Sequence, residues 1–69
     1  MKTIDTKKFA TALRVKRGKM SLKELESGLG ISISTLSRIE NENLPDIETY
    51  LTLIDFIGVP SEFFQIDKN

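Results

Sequence analysis

The feature that most restricts the fold is a helix-start signal repeated at short intervals. In "IDTKKF", Asp5 is placed to cap a helix, with Ile4 before it and Phe9 four residues after it as a hydrophobic staple. In "MSLKEL", Ser21 and Glu24 form an S-x-x-E capping box, and Met20 and Leu25 repeat the staple spacing. "ISISTL" does the same with Ser32, Ile31 and Leu36, and "LPDIETY" offers Asp46 directly after Pro45. Each of these side chains can accept a bond from a first-turn N–H that a helix leaves unpartnered. Gly18, Gly28, Gly30, Pro45, Gly58 and Pro60 punctuate the chain between the starts, so only short helices fit. Strand alternation is confined to "ISIS", which is too short to stand alone.

In the fourth segment Ile47, Tyr50, Leu51 and Ile54 recur at helical spacing, and Leu53, Phe56 and Ile57 widen that apolar face. Gly58 is the natural left-handed end, and "VPSEFF" restarts a short helix at Pro60. The expected fold is all-α: about five short helices near 5–16, 21–28, 32–41, 46–57 and 60–65, in a single domain spanning 1–69. A chain of 69 residues buries only about 60% of the surface it exposes when unfolded, so the core is expected to be thin.

Composition removes several kinds of chemistry. There is no cysteine and no histidine, so disulfides, thiolate or imidazole metal sites and a Ser-His-Asp triad are out of reach. No carboxylate, serine and lysine stand in a recognisable catalytic constellation, and a thin core leaves little room for a pocket. The expectation is no enzyme, no cofactor, no metal and no small-molecule substrate. The apolar stretches are far short of a membrane span and no signal-peptide core opens the chain, so the expected location is the cytoplasm, in association with the nucleoid. Net charge is zero but unevenly spread: residues 1–41 carry +5 and residues 42–69 carry −5. That asymmetry implies one face for an anionic partner.

Placed on a helix over 32–41, Leu36 and Ile39 fall on one side, while Ser34, Ser37, Arg38 and Asn41 fall on the other with Ile33 at the edge. Short hydroxyls with one long cation let a helix lie close against a flat polar surface. The major groove of DNA is such a surface, and Arg pairs bidentately with guanine O6 and N7. The preceding "SLKELESGLGI" ends in Gly28 and Gly30, so residues 21–41 read as two helices joined by a tight turn. Leu25, Leu29, Ile31, Leu36 and Ile39 would lock them together, and Gly30 would supply a left-handed backbone.

The stretch "MSLKELESGLGISISTLSRIENENLPDIETYLTLIDFIGVPSEFF" resembles the Cro and phage-repressor type of helix-turn-helix domain, from about Phe9 to Phe64. "LGIS", "STLSRIEN", "LPDIETYLTLI" and "IGVP" carry the resemblance together, in order and at the right spacing. It implies that Ile33, Ser34, Ser37 and Arg38 face base edges, and that Ser32 and Asn41 touch phosphate. It also implies a pair between Arg14 and Glu40, although "LRVKRGKMSL" is one residue longer than the usual spacing. Leu22 stands where the family usually has Gln, and Glu26 where it favours Ala; a carboxylate there must face solvent or find a partner. Ile33 replaces a commonly polar reader and fits either a thymine methyl or the core edge.

Lys19 and Lys23, with Arg14, Lys16 and Arg17, form a cluster that could grip phosphates or simply be solvated. Phe56, Phe63, Phe64 and Ile66 are more apolar bulk than a short terminal helix needs. Phe56 and Phe63 are assigned to the core, and Phe64 and Ile66 to a self-complementary dimer surface. The resulting expectation is a transcriptional regulator bound to double-stranded DNA, as a homodimer on a palindromic operator. The alternative is a protein-interaction module on the same fold, such as an antitoxin or an antagonist of a phage regulator.

Overall fold

The computed structural model describes residues 1–67; Lys68, counted above among the charges, lies outside them. The order is strand β1 (Lys2–Ile4), helices α1 (Thr6–Arg17), α2 (Leu22–Leu29), α3 (Ile33–Glu40) and α4 (Ile47–Ile57), a 3-10 turn (Ser61–Phe64) and strand β2 (Gln65–Asp67). All four anticipated caps form. Asp5, Ser21, Ser32 and Asp46 accept bonds from the backbone N–H of Lys8, Glu24, Thr35 and Thr49. The capping box closes in both directions at 3.1 Å, with the Ser21 N–H donating to the Glu24 carboxylate. Each helix starts one residue after its cap, which accounts for most of the offset from the expected limits.

The core is one cluster built around α1. Phe9 and Leu13 of α1 meet Leu25, Ile31, Leu36, Ile39, Tyr50, Leu53 and Phe64. Phe9 sits between two rings, 5.1 Å from Tyr50 and 5.0 Å edge-on from Phe64. Truncating such a fully buried aromatic to Ala costs about 3–5 kcal/mol. The Tyr50 hydroxyl donates to the Ser61 carbonyl at 2.6 Å, fastening α4 to the 3-10 turn. Burial, then the nearby charge of Glu62, raises the pKa of this phenol.

Three sequence expectations are corrected here. First, the fifth helix is a single 3-10 turn, and the chain then pairs antiparallel with its own start: Lys2 lies opposite Asp67, Thr3 opposite Ile66 and Ile4 opposite Gln65. Strands of three residues leave no alternation to read. Their register is set by tertiary approach, including the Asp5 N–H donating to the Phe64 carbonyl at 2.7 Å. The helical fold stands with this small ribbon added. Second, the buried face of α4 is Tyr50, Leu53, Ile54 and Ile57, with Phe56 beside it, whereas Ile47 and Leu51 are 67% and 52% exposed. Third, the two terminal rings exchange places. Phe64 is fully buried and cannot serve a dimer surface, because the 3-10 turn points it at Phe9. Phe63 is half exposed, and Lys8 Nζ lies over its ring 4.0 Å from the centroid. Ile66 remains on the surface.

Candidate nucleic-acid interface

Helices α2 and α3 are held by Leu25 and Ile31 against Leu36 and Ile39, all buried, with Leu29 partly so. Gly30 closes α2 at φ 72°, a left-handed conformation that side chains other than Gly rarely adopt. Leu22 packs against the core, so this position presents no polar group to a partner. Glu26 does find a partner. Its Oε2 accepts from the backbone N–H of Ile33 at 3.1 Å, which pins the first residue of α3 to the last turn of α2.

The outward face of α3 carries the residues expected on it. Ile33, Ser34 and Arg38 are exposed, and Ser37 is half-buried. Ile33, at 39% exposure, lies on the surface rather than inside the core. Arg38 borders an open cleft of about 330 Å³ that it shares with Thr35, Asn43 and Asp46. The Asp46 carboxyl is held below its ordinary pKa, chiefly by its bonds to Thr49, with a smaller contribution from the Arg38 charge. The two expected phosphate contacts on this helix are largely engaged in holding it. Ser32 Oγ accepts from the Thr35 N–H and donates to Thr35 Oγ1 at 2.9 Å. Asn41 donates one amide hydrogen to the Ser37 carbonyl at 2.9 Å, and a second donor remains on that amide.

At the far end of α3 the expected pair is corrected. The carboxylate of Glu40 is bound by Arg17, not Arg14: Nε and Nη2 of Arg17 donate to its two oxygens at 2.8 and 3.0 Å. This fork-to-fork pair is mostly buried, with side-chain exposures of 20% and 11%. The bonds to Glu40 raise the pKa of Arg17. Arg14 reaches the same residue through its main chain, donating to the Glu40 carbonyl at 2.8 Å. Helix α1 continues to Arg17 and carries that side chain to the Glu40 carboxylate, while Arg14, three residues earlier on the same helix, reaches the main chain. Arg17 also donates to the Met20 carbonyl at 2.7 Å, tying down the α1–α2 loop. Two cations at the C-terminal end of α3 complement its dipole.

The basic cluster is therefore divided. Arg17 and Arg14 hold the scaffold, while Lys19 and Lys23 stand exposed beside the start of α2. Sequence reasoning also missed Asn43, whose amide and backbone N–H both donate to the Arg38 carbonyl, at 2.9 and 3.1 Å. Between them Glu42 takes a left-handed φ of 67°, and its N–H closes onto the Ile39 carbonyl at 3.0 Å. The left-handed residue is Glu42 rather than a Gly or Asn, so the run "NEN" carried no clear signal for this turn.

A helix-turn-helix packed against a third helix, with a polar outward face on the second helix of the motif, defines a class of DNA-binding domain. Residues 10–64 match the helix-turn-helix family, and the chain belongs to its Cro/C1-type, XRE-like group, whose fold is lambda-repressor-like and all-α. Neither curated proteins nor solved structures gave a match. Among the described residues, no helix is long and apolar enough to cross a membrane.

Proposed function

We propose that the chain is a sequence-specific transcriptional regulator that lays α3 in the major groove of double-stranded DNA. The observation that carries this reading is the outward face of α3: Ile33, Ser34, Ser37 and Arg38 project from a helix anchored at both ends. Readout needs such rigidity, because base contacts fail when the reading helix is loosely placed. In this reading Arg38 makes the bidentate base contact, Ile33 meets a thymine methyl, Lys19 and Lys23 neutralise phosphates, and Asn41 donates its second amide hydrogen to one, while the Ser32 hydroxyl stays with Thr35. Such a protein works in the cytoplasm, on the nucleoid.

The regulator acts as a homodimer on a palindromic operator. An eight-residue helix is only about 12 Å long and reads few base pairs, so specificity needs a second copy one helical turn away. In place of Phe64, the surface that fits a second copy joins Ile66 to Leu44, Ile47 and Leu51. All four are exposed; Leu44 shares one cleft with Ile66 and another with Ile47. This surface begins just past the end of α3. The test is selection of bound duplexes from a random DNA pool. Enrichment of a palindrome supports the reading; no enrichment over a neutral control protein refutes it.

A further inference from the structure

We propose that Glu26 is a specificity-determining residue: its carboxylate occupies the amino end of α3 and keeps DNA phosphate from settling there. The inference rests on the DNA-binding reading above. Exposed helix N-termini attract phosphate of any sequence, through free N–H groups and a partial positive charge. On α3 two of those N–H groups are already taken. The Ile33 N–H donates to Glu26 Oε2 at 3.1 Å, and the Thr35 N–H donates to Ser32 Oγ at 3.2 Å. The anion comes from a different helix, seven residues earlier, and its acceptor atom lies at the backbone N–H of Ile33, the first residue of the reading face.

This placement separates two kinds of DNA complex. Non-specific binding consists almost wholly of phosphate contacts and would gain from one more at the tip of α3. An operator complex adds base contacts through Arg38 and its neighbours, which hold α3 at one depth in the groove and leave its tip less free to shift onto a phosphate. Any phosphate within a Debye length of about 8–10 Å also meets the charge of Glu26 directly. The carboxylate therefore suppresses sequence-independent affinity and leaves base readout to orient the helix.

Two variants test this, with folding checked by thermal melting. Glu26→Ala removes the charge and frees the Ile33 N–H; Glu26→Gln removes the charge but keeps an acceptor. Binding to the selected duplex and to a scrambled duplex is measured by fluorescence anisotropy at several salt concentrations. In Glu26→Ala, affinity for the scrambled duplex should rise about three- to tenfold. Its salt dependence should steepen by roughly one phosphate contact, a slope change of about 0.9. The ratio between selected and scrambled duplexes should fall. Glu26→Gln should lower the ratio less and steepen the slope by less than Glu26→Ala does. A purely structural role would instead weaken both duplexes together with a lower Tm, and that result overturns the proposal. So does an unchanged ratio in both variants while the wild type binds DNA. If neither the wild type nor the variants bind any duplex, the DNA-binding reading itself fails and this inference falls with it.

Discussion

Helices α3 and α4 are built on the same inward plan and differ in what they turn outward. Each begins with a side-chain cap, and each buries two large residues three apart, Leu36 with Ile39 and Tyr50 with Leu53. Beyond that, α3 is tied by polar bonds at both ends: to Glu26 at its start, and to Arg14, Arg17 and Asn43 at its finish. Its outward side chains are small and polar apart from Ile33 and Arg38. Helix α4 is held by apolar contacts and the Tyr50 hydroxyl, and it exposes Ile47 and Leu51. Burial of similar residues thus gives both helices their place, while polar bonds at both ends fix the orientation of α3 in addition. The outward faces carry the division of labour proposed here, with α3 for DNA and α4 for a second copy.

The largest expected effect should not distinguish the two helices. Leu36→Ala and Leu53→Ala each remove a side chain with no exposure, so each should cost about 2–5 kcal/mol in chemical denaturation. A cost several-fold larger in one helix would break the symmetry of the inward plan. The next effect should appear only in α3. Arg17→Ala strands the mostly buried Glu40 carboxylate and should cost about 1–3 kcal/mol. Arg14→Ala loses one bond to a carbonyl, at about 0.5–1.5 kcal/mol. An unchanged Tm in Arg17→Ala would show that the paired end of α3 is no firmer than α4.

Outward substitutions should leave the stability of the single chain nearly unchanged and split the functions. Arg38→Ala should cost about 1–3 kcal/mol of discrimination, concentrated at one base pair of each half-site and read by anisotropy against single-substituted duplexes. Ile47→Ser combined with Leu51→Ser should yield a monomer by light scattering, on DNA as well as off it, with a Tm that no longer rises with protein concentration. Equal loss on every duplex for Arg38→Ala would reduce Arg38 to a phosphate clamp. A persistent dimer in the α4 double variant would move the self-association surface elsewhere.

The smallest effect separates the caps. Asp46 titrates and Ser32 does not. Because Asp46 is held below the ordinary aspartate value of about 3.9, the folded state binds fewer protons there than the unfolded chain. Its contribution is complete above that value and is lost as pH falls through the lower, folded one. Replacing Asp46 with Ser should therefore shrink the decline in Tm between pH 5 and pH 2, and an identical decline would remove Asp46 from the acid response.

Much of this was legible without coordinates. Caps are local: the side chain of Asp5, Ser21, Ser32 or Asp46 meets an N–H three residues away, so the chain itself carries the whole interaction. The resemblance to the Cro and phage-repressor type, from about Phe9 to Phe64, agrees with the family match over residues 10–64. The outward placement of Ser34 and Arg38 followed from helical period once Leu36 and Ile39 were taken as core. Period alone misplaced the stripe on α4, because a segment apolar nearly all round does not say which sector meets its neighbours. Isoleucine and leucine at 47 and 51 look as burial-prone as tyrosine and leucine at 50 and 53.

What the sequence by itself determined is where helices begin, where they end and which residues α3 turns outward, since those depend on interactions across three or four positions. Tertiary structure alone decided which arginine takes the Glu40 carboxylate, which of two adjacent phenylalanines enters the core, and that residues 2–4 pair with 65–67. It also turned Glu26 from an awkward carboxylate into the partner of the Ile33 N–H. Those outcomes depend on the exact extent of α1 and the angle at which elements cross. Arg14 and Arg17, three positions apart, differ by only about 60° around the helix and about 4.5 Å along it, so the angle and height at which α1 passes α3 decide which of them meets the carboxylate.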